Sequence, residues 1–115
     1  MLKTISTLLQ EVKQNVRMVT AKNAKAEQSQ NNGHIIDVRE PEEFQADSAL
    51  GVINIPRGLL EVKMLELEPD PNRAIYLHCG TSLRAALGAE QLARVGYQNV
   101  SVITCPLEEI KKVCC

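Results

Sequence analysis

The sequence predicts an α/β protein: an open parallel sheet flanked by helices on both faces. Three observations carry that prediction. Short apolar runs alternate with helix-forming stretches along the chain, and parallel neighbours need such crossovers. The run Ala74-Ile75-Tyr76-Leu77 has the unbroken apolar character of a strand buried on both sides, and it passes through Cys79 and Gly80 straight into a helix-forming stretch. His34-Ile35-Ile36-Asp37-Val38 repeats the pattern, ending in charged residues before a helix opened by Pro41.

The chain has 115 residues and a net charge of −1. That length suits one domain over 1–115, with an amphipathic helix in 1–16, a core over 17–104, and a C-terminal helix with a cysteine tail over 105–115. No basic block or apolar run of spanning length occurs, so neither nucleic acid nor a membrane is an expected partner. Aromatics are 3% of the residues, and the core must be built from aliphatic side chains, with Phe44 as the single phenylalanine. The four cysteines lack the dispersed spacing of a disulfide scaffold, which predicts a reducing, cytoplasmic setting. The oligomeric state is left open.

Taken in order, Leu2, Ile5, Leu8, Leu9, Val12 and Val16 form a helical stripe that predicts one packed face. Val16, Met18 and Val19 predict a short edge strand within 17–21. Residues 22–32 are almost wholly polar and fit a solvated helix, a loop or a mixture, with Gly33 as the stop. His34 is expected at the surface. After the Pro41 helix, Gly51 to Gly58 contains a strand and an Asn-Ile-Pro turn, and Leu60, Met64 and Leu67 predict an inward helix face. Pro69 and Pro71 mark the turn into the strand that carries Cys79. Ala85, Ala89, Leu92 and Ala93 share one helical face that Gly88 lets approach the sheet, and Gly96 ends it. Val100, Val102 and Ile103 mark a further strand. Pro106 opens a last helix with Glu108 and Glu109 early and Lys111 and Lys112 late, as the macrodipole favours.

The candidate site is the loop from Cys79 through Gly80, Thr81, Ser82 and Leu83 to Arg84. A cysteine at the carboxyl end of a parallel strand sits where ligands bind in such sheets. Loop amides from Gly80 to Arg84 curled around the sulfur, a helix dipole and the Arg84 guanidinium together favour the thiolate, which is the nucleophilic form. Such a thiolate attacks a sulfane sulfur, and the same amides hold the resulting persulfide anion. His78 precedes Cys79 on the strand, so alternation sends the two side chains to opposite faces and argues for a packed histidine instead of a Cys–His pair.

Two stretches, Asp37-Val38-Arg39-Glu40-Pro41-Glu42-Glu43-Phe44 and Cys79-Gly80-Thr81-Ser82-Leu83-Arg84, together with the turn Asn54-Ile55-Pro56, resemble the rhodanese-like domain family over about 17–104. The resemblance implies a sulfurtransferase using a Cys79 persulfide, with loop residues 80–84 binding it and Asp37 and Arg39 supporting the architecture through salt bridges. It implies a small sulfur-donor anion or persulfidated protein as donor, cyanide or a protein thiol as acceptor, and neither cofactor nor metal. Family loops often carry glycine at the fourth position and further cations, where this loop has Ser82 and the lone charge Arg84. The last strand of the family usually ends in a glycine pair, and here Thr104-Cys105-Pro106 stands instead. The main alternative is a non-catalytic binding module. A phosphatase or arsenate reductase needs a longer loop. A thiol-disulfide oxidoreductase would enlist Cys105, Cys114 or Cys115, which are otherwise structural or tail cysteines with no zinc spacing.

Overall fold

The computed structural model describes residues 1–113; Cys114 and Cys115, and with them the tail cysteine expectation, lie outside the described residues. The chain runs α1 (Ile5–Lys13), β1 (Arg17–Val19), α2 (Ala21–Asn31), β2 (His34–Asp37), α3 (Pro41–Ala46) and β3 (Ile53–Asn54). A 3-10 turn (Arg57–Leu59) then leads into α4 (Leu60–Leu67), β4 (Ile75–His78), α5 (Leu83–Val95), β5 (Val100–Ile103) and α6 (Leu107–Val113). The strands form one parallel sheet in the order β1-β5-β4-β2-β3.

That order puts a switch point in the middle of the sheet. From β2 the chain moves outward to β3, and from β4 it moves the opposite way to β5. Loops leaving β2 and β4 therefore part to opposite faces, and the crevice between their carboxyl ends is the usual ligand position in such sheets. Ile36, Val38, Leu77, Cys79 and Val102 pack with Leu60 and Met64 of α4 and Ala85, Ala89 and Leu92 of α5 on one face. On the other, Ile35, Tyr76 and Ile103 meet Ala21 and Ala24 of α2, Ile110 of α6 and the half-buried Phe44 of α3.

Local chemistry explains the elements that the sequence leaves ambiguous. Residues 21–31 are helical because Thr20 caps them, its Oγ1 accepting the Asn23 N–H at 3.1 Å. The stop is Asn32, left-handed at φ 58°, and not Gly33. Gly33 is instead a close-approach residue, where a β-carbon would stand 2.6 Å from the Ala74 carbonyl oxygen. Two apolar stripes are also shorter than the sequence implies. In α1, Val12 is buried while Ile5 stays 62% exposed, and the helix packs on α5. In α4, Leu67 is exposed, because the buried position at that end belongs to Glu68. His34 is half-buried rather than superficial, its Nε2 2.8 Å from Glu68 Oε1.

Candidate active site

Cys79 follows β4 directly and is 2% exposed, so only a small terminal atom of a ligand can reach its sulfur. The N–H that donates to Sγ, at 3.3 Å, is that of Ala85, one residue beyond the expected loop amides. Helix α5 thus aims its first turn at the sulfur, and the free amides and dipole of a helix start favour negative charge there. Ser82 precedes α5 with φ 70° and ψ −19°, a left-handed conformation that strains a residue with a side chain by about 1–3 kcal/mol. This is the fourth loop position, and the backbone there has the form that glycine takes freely.

Arg84 does not point its charge at the sulfur alone. Its Nη1 and Nη2 donate to Glu43 Oε1 at 2.7 Å and Oε2 at 3.2 Å, a fork that ties the start of α5 to the first turn of α3 across the switch-point crevice. A β-carbon on Gly80 would stand 3.7 Å from Arg84 Nη2, so the guanidinium lies beside the loop backbone. Arg84 and then the Glu40 amide hold the Glu43 carboxyl down to about 2, and Glu43 in turn raises the arginine. Glu43 is the neighbour of the loop that sequence reasoning passed over. Its signal was present in the Glu-Pro-Glu-Glu-Phe run, where it reads as a helix-start carboxylate; its Oε1 does also accept the Glu40 N–H at 2.9 Å.

Asp37 and Arg39 form a buried pair rather than exposed strand-end charges. Arg39 Nε and Nη2 donate to Asp37 Oδ2 at 3.1 and 2.8 Å, and the Arg39 amide donates to Asp37 Oδ1 at 2.9 Å. Arg39 Nη2 also donates to the Asp47 carbonyl at 2.8 Å, and the Asp37 carboxylate is the main cause of its raised basicity. Asn54 completes this corner by donating Nδ2 to the carbonyls of both Asp37 and Arg39 at 3.0 Å, which fixes how the chain leaves β2.

His78 pairs in register with Asp37 on the face away from Cys79, and its Nε2 lies 3.8 Å from Asp37 Oδ2. It is fully buried with neither ring nitrogen hydrogen-bonded. Burial, with a smaller contribution from Arg39, pushes its basicity down against the pull of Asp37. It is packed, as alternation predicts, but not satisfied. Cys105 accepts the Ala21 N–H at 3.1 Å and packs in the α2–α6 layer, so the sheet separates it from Cys79. A cavity of about 370 Å³ lies between the β3 edge and α4, lined in part by Ile53, Asn54, Pro56 and Leu59, and Cys79 is not in its wall. Among the described residues no His, Cys, Asp and Glu group is arranged to hold a metal ion, and no helix is long and apolar enough to cross a membrane.

The structure thus puts a cysteine-led loop at the carboxyl switch point of a parallel α/β sheet. A family model described as "Rhodanese-like domain" matches residues 20–112, and the chain belongs to that family. It is 33% identical over 67 residues to the thiosulfate sulfurtransferase PspE of Escherichia coli strain K12, covering 58% of this chain and 64% of that protein. It is 34% identical over 67 residues to the putative sulfur carrier protein YrkF of Bacillus subtilis strain 168, covering 58% of this chain and 35% of that one. The chain thus matches less than two thirds of either relative. In fold it is similar to the polysulfide-sulfur transferase homodimer of Wolinella succinogenes, with a TM-score of 0.75 and 24% identity over 90% of this chain and 78% of that one.

Proposed function

We propose that this protein is a sulfurtransferase in which Cys79 carries the sulfur. The observation that carries the reading is the Cys79 sulfur under the first turn of α5, hydrogen-bonded by the Ala85 amide at the switch point of the sheet. The Cys79 thiolate attacks the outer sulfur of a sulfane donor; the new S–S bond forms as the donor's bond to that sulfur breaks, and the donor leaves with the electron pair. With thiosulfate the leaving group is sulfite and the product a Cys79 persulfide anion. Cyanide, or the thiolate of a protein acceptor, then attacks the terminal sulfur and regenerates the Cys79 thiolate, leaving as thiocyanate or as a new persulfide.

In this reading loop residues 80–84 hold the persulfide, with Gly80 giving clearance and Thr81 and Ser82 supplying neutral polar groups. Asp37, Arg39 and Asn54 keep the facing corner rigid. The residues act as one domain, in a reducing compartment such as the cytoplasm, where the thiol stays free.

Intact mass after incubation with thiosulfate or another sulfane donor tests the proposal. The expected result is a Cys79-dependent gain of one sulfur, about 32 Da, that cyanide removes and that Cys79→Ser lacks. A folded protein that takes up no sulfur from any donor is a binding module instead.

A further inference from the structure

The site's one loop cation is already spent on a carboxylate of its own chain. Thr81 and Ser82 are neutral, Gly80 has no side chain, and Arg84 is held in a fork by Glu43 at 2.7 and 3.2 Å. Across the crevice, Arg39 is likewise taken by Asp37. Each of the two arginines beside the crevice is thus matched by one carboxylate of the chain's own, Arg39 by Asp37 and Arg84 by Glu43. A donor approaching Cys79 therefore meets arginines whose charge is already balanced by a carboxylate. The pair between Arg84 and Glu43 is partly exposed, with side chains 33% and 41% accessible, and pairs of that kind add little to stability. Its effect falls on what the arginine can still attract.

We propose that Glu43 is a specificity-determining residue, which by neutralising Arg84 selects sulfane donors whose leaving group carries at most one negative charge and disfavours dianionic thiosulfate. This rests on the sulfur-transfer reading of Cys79 and deepens it. The favoured class includes thiosulfonates, which release a sulfinate, and hydropersulfides, which release a thiol. In each case the thiolate takes the terminal sulfur: RSO2–S⁻ gives the Cys79 persulfide anion and RSO2⁻, and R–S–SH gives the same persulfide anion and R–SH, the proton passing from the transferred sulfur to the leaving thiolate.

Thiosulfate and ethanethiosulfonate make a matched pair of probes, because both transfer an outer sulfur from an oxidised sulfur centre and differ by one unit of charge. The loading rates of Cys79 by the two are compared in the wild-type protein, Glu43→Gln and Glu42→Gln. Glutamine at 43 can still accept the Glu40 amide, so the start of α3 is kept. Removing one negative charge next to Arg84 is expected to raise the thiosulfate-to-thiosulfonate ratio about tenfold, the order of one added unit-charge attraction at a partly exposed site. Glu42→Gln, the same charge change on the same helix turn but off Arg84, is expected to shift it less than about twofold.

A ratio unchanged in Glu43→Gln, or shifted equally by Glu42→Gln, overturns the role of Glu43 while leaving sulfur transfer intact. Failure of both donors to load Cys79 overturns the transfer reading and this inference with it. If Glu43→Gln does not fold, the wild-type salt dependence decides: thiosulfate loading that does not fall with ionic strength supports a neutralised Arg84, and loading that falls with it overturns that neutralisation.

Discussion

At the scale of single residues, the site is held by charges that have given up water. Asp37 is fully buried and receives three donors from Arg39, so its removal leaves an arginine that is only 9% exposed without its carboxylate. Breaking a buried pair from one side costs about 3–5 kcal/mol, and Asp37→Asn is expected to lose that much in urea denaturation. A loss below about 1 kcal/mol would mean that the pair behaves as a surface one. The Asp-Val-Arg spelling identified both partners, but nothing in it says that they are buried, because burial came from strand β3 and Asn54 closing over the corner. Glu43 is the reverse case: visible in sequence as a helix-start carboxylate, it meets Arg84 only because two loops part at the same crevice.

Among the secondary-structure elements, the tightest constraint is where β2 begins beside β4. The His34 N–H donates to the Ala74 carbonyl at 2.9 Å, and Gly33 lets the two backbones close to that distance. Gly33→Ala places a methyl 2.6 Å from that carbonyl oxygen and 2.9 Å from the Ala74 β-carbon, neither of which has room to retreat. The expected cost is about 1–3 kcal/mol, seen as a lower urea midpoint, with amide exchange in β2 and β4 accelerated first. Exchange that speeds up only in α2 would assign Gly33 to helix termination, the role its sequence position suggests. Gly88 also lies at a close approach, 2.7 Å from Leu60 Cδ2 for an added β-carbon, but there the neighbour is the end of a flexible side chain. Two glycines that look alike in sequence thus face unequal obstacles.

For the molecule as a whole, stability against acid follows from groups whose protonation differs between the folded and unfolded chain. His78 is buried with its basicity lowered by desolvation, so the unfolded chain takes up its proton below about pH 6.5 while the folded one resists. Stability conferred by keeping this ring neutral is complete above that pH and is lost as the pH falls below it. Glu43, Glu27 and Glu68 shift in the direction usual for paired carboxylates, and their contribution is lost lower, for Glu43 between about 4.5 and about 2. The wild-type urea midpoint is therefore expected to drop between pH 7.5 and 5.5, well before the carboxylates titrate. His78→Leu, which removes two unpartnered ring nitrogens and leaves Asp37 and Arg39 to each other, should flatten that upper limb. Equal slopes in the two proteins would assign the limb to some other group.

What the sequence determined by itself is whatever depends on neighbours along the chain. Strand and helix alternation, the left-to-right charge order of α6, the cysteine at the end of β4 and the family resemblance are all local patterns, and the parallel α/β class follows from them. Tertiary structure alone decided what depends on strand order. The order β1-β5-β4-β2-β3 puts the switch point between β4 and β2, and that is why Arg84 meets Glu43, why Asp37 faces an unpartnered His78, and why Cys79 and Cys105 lie in different layers. The two contacts each join residues about forty apart, and the two separated cysteines are twenty-six apart. Periodicity reports which way a side chain faces, and only packing determines what it meets there.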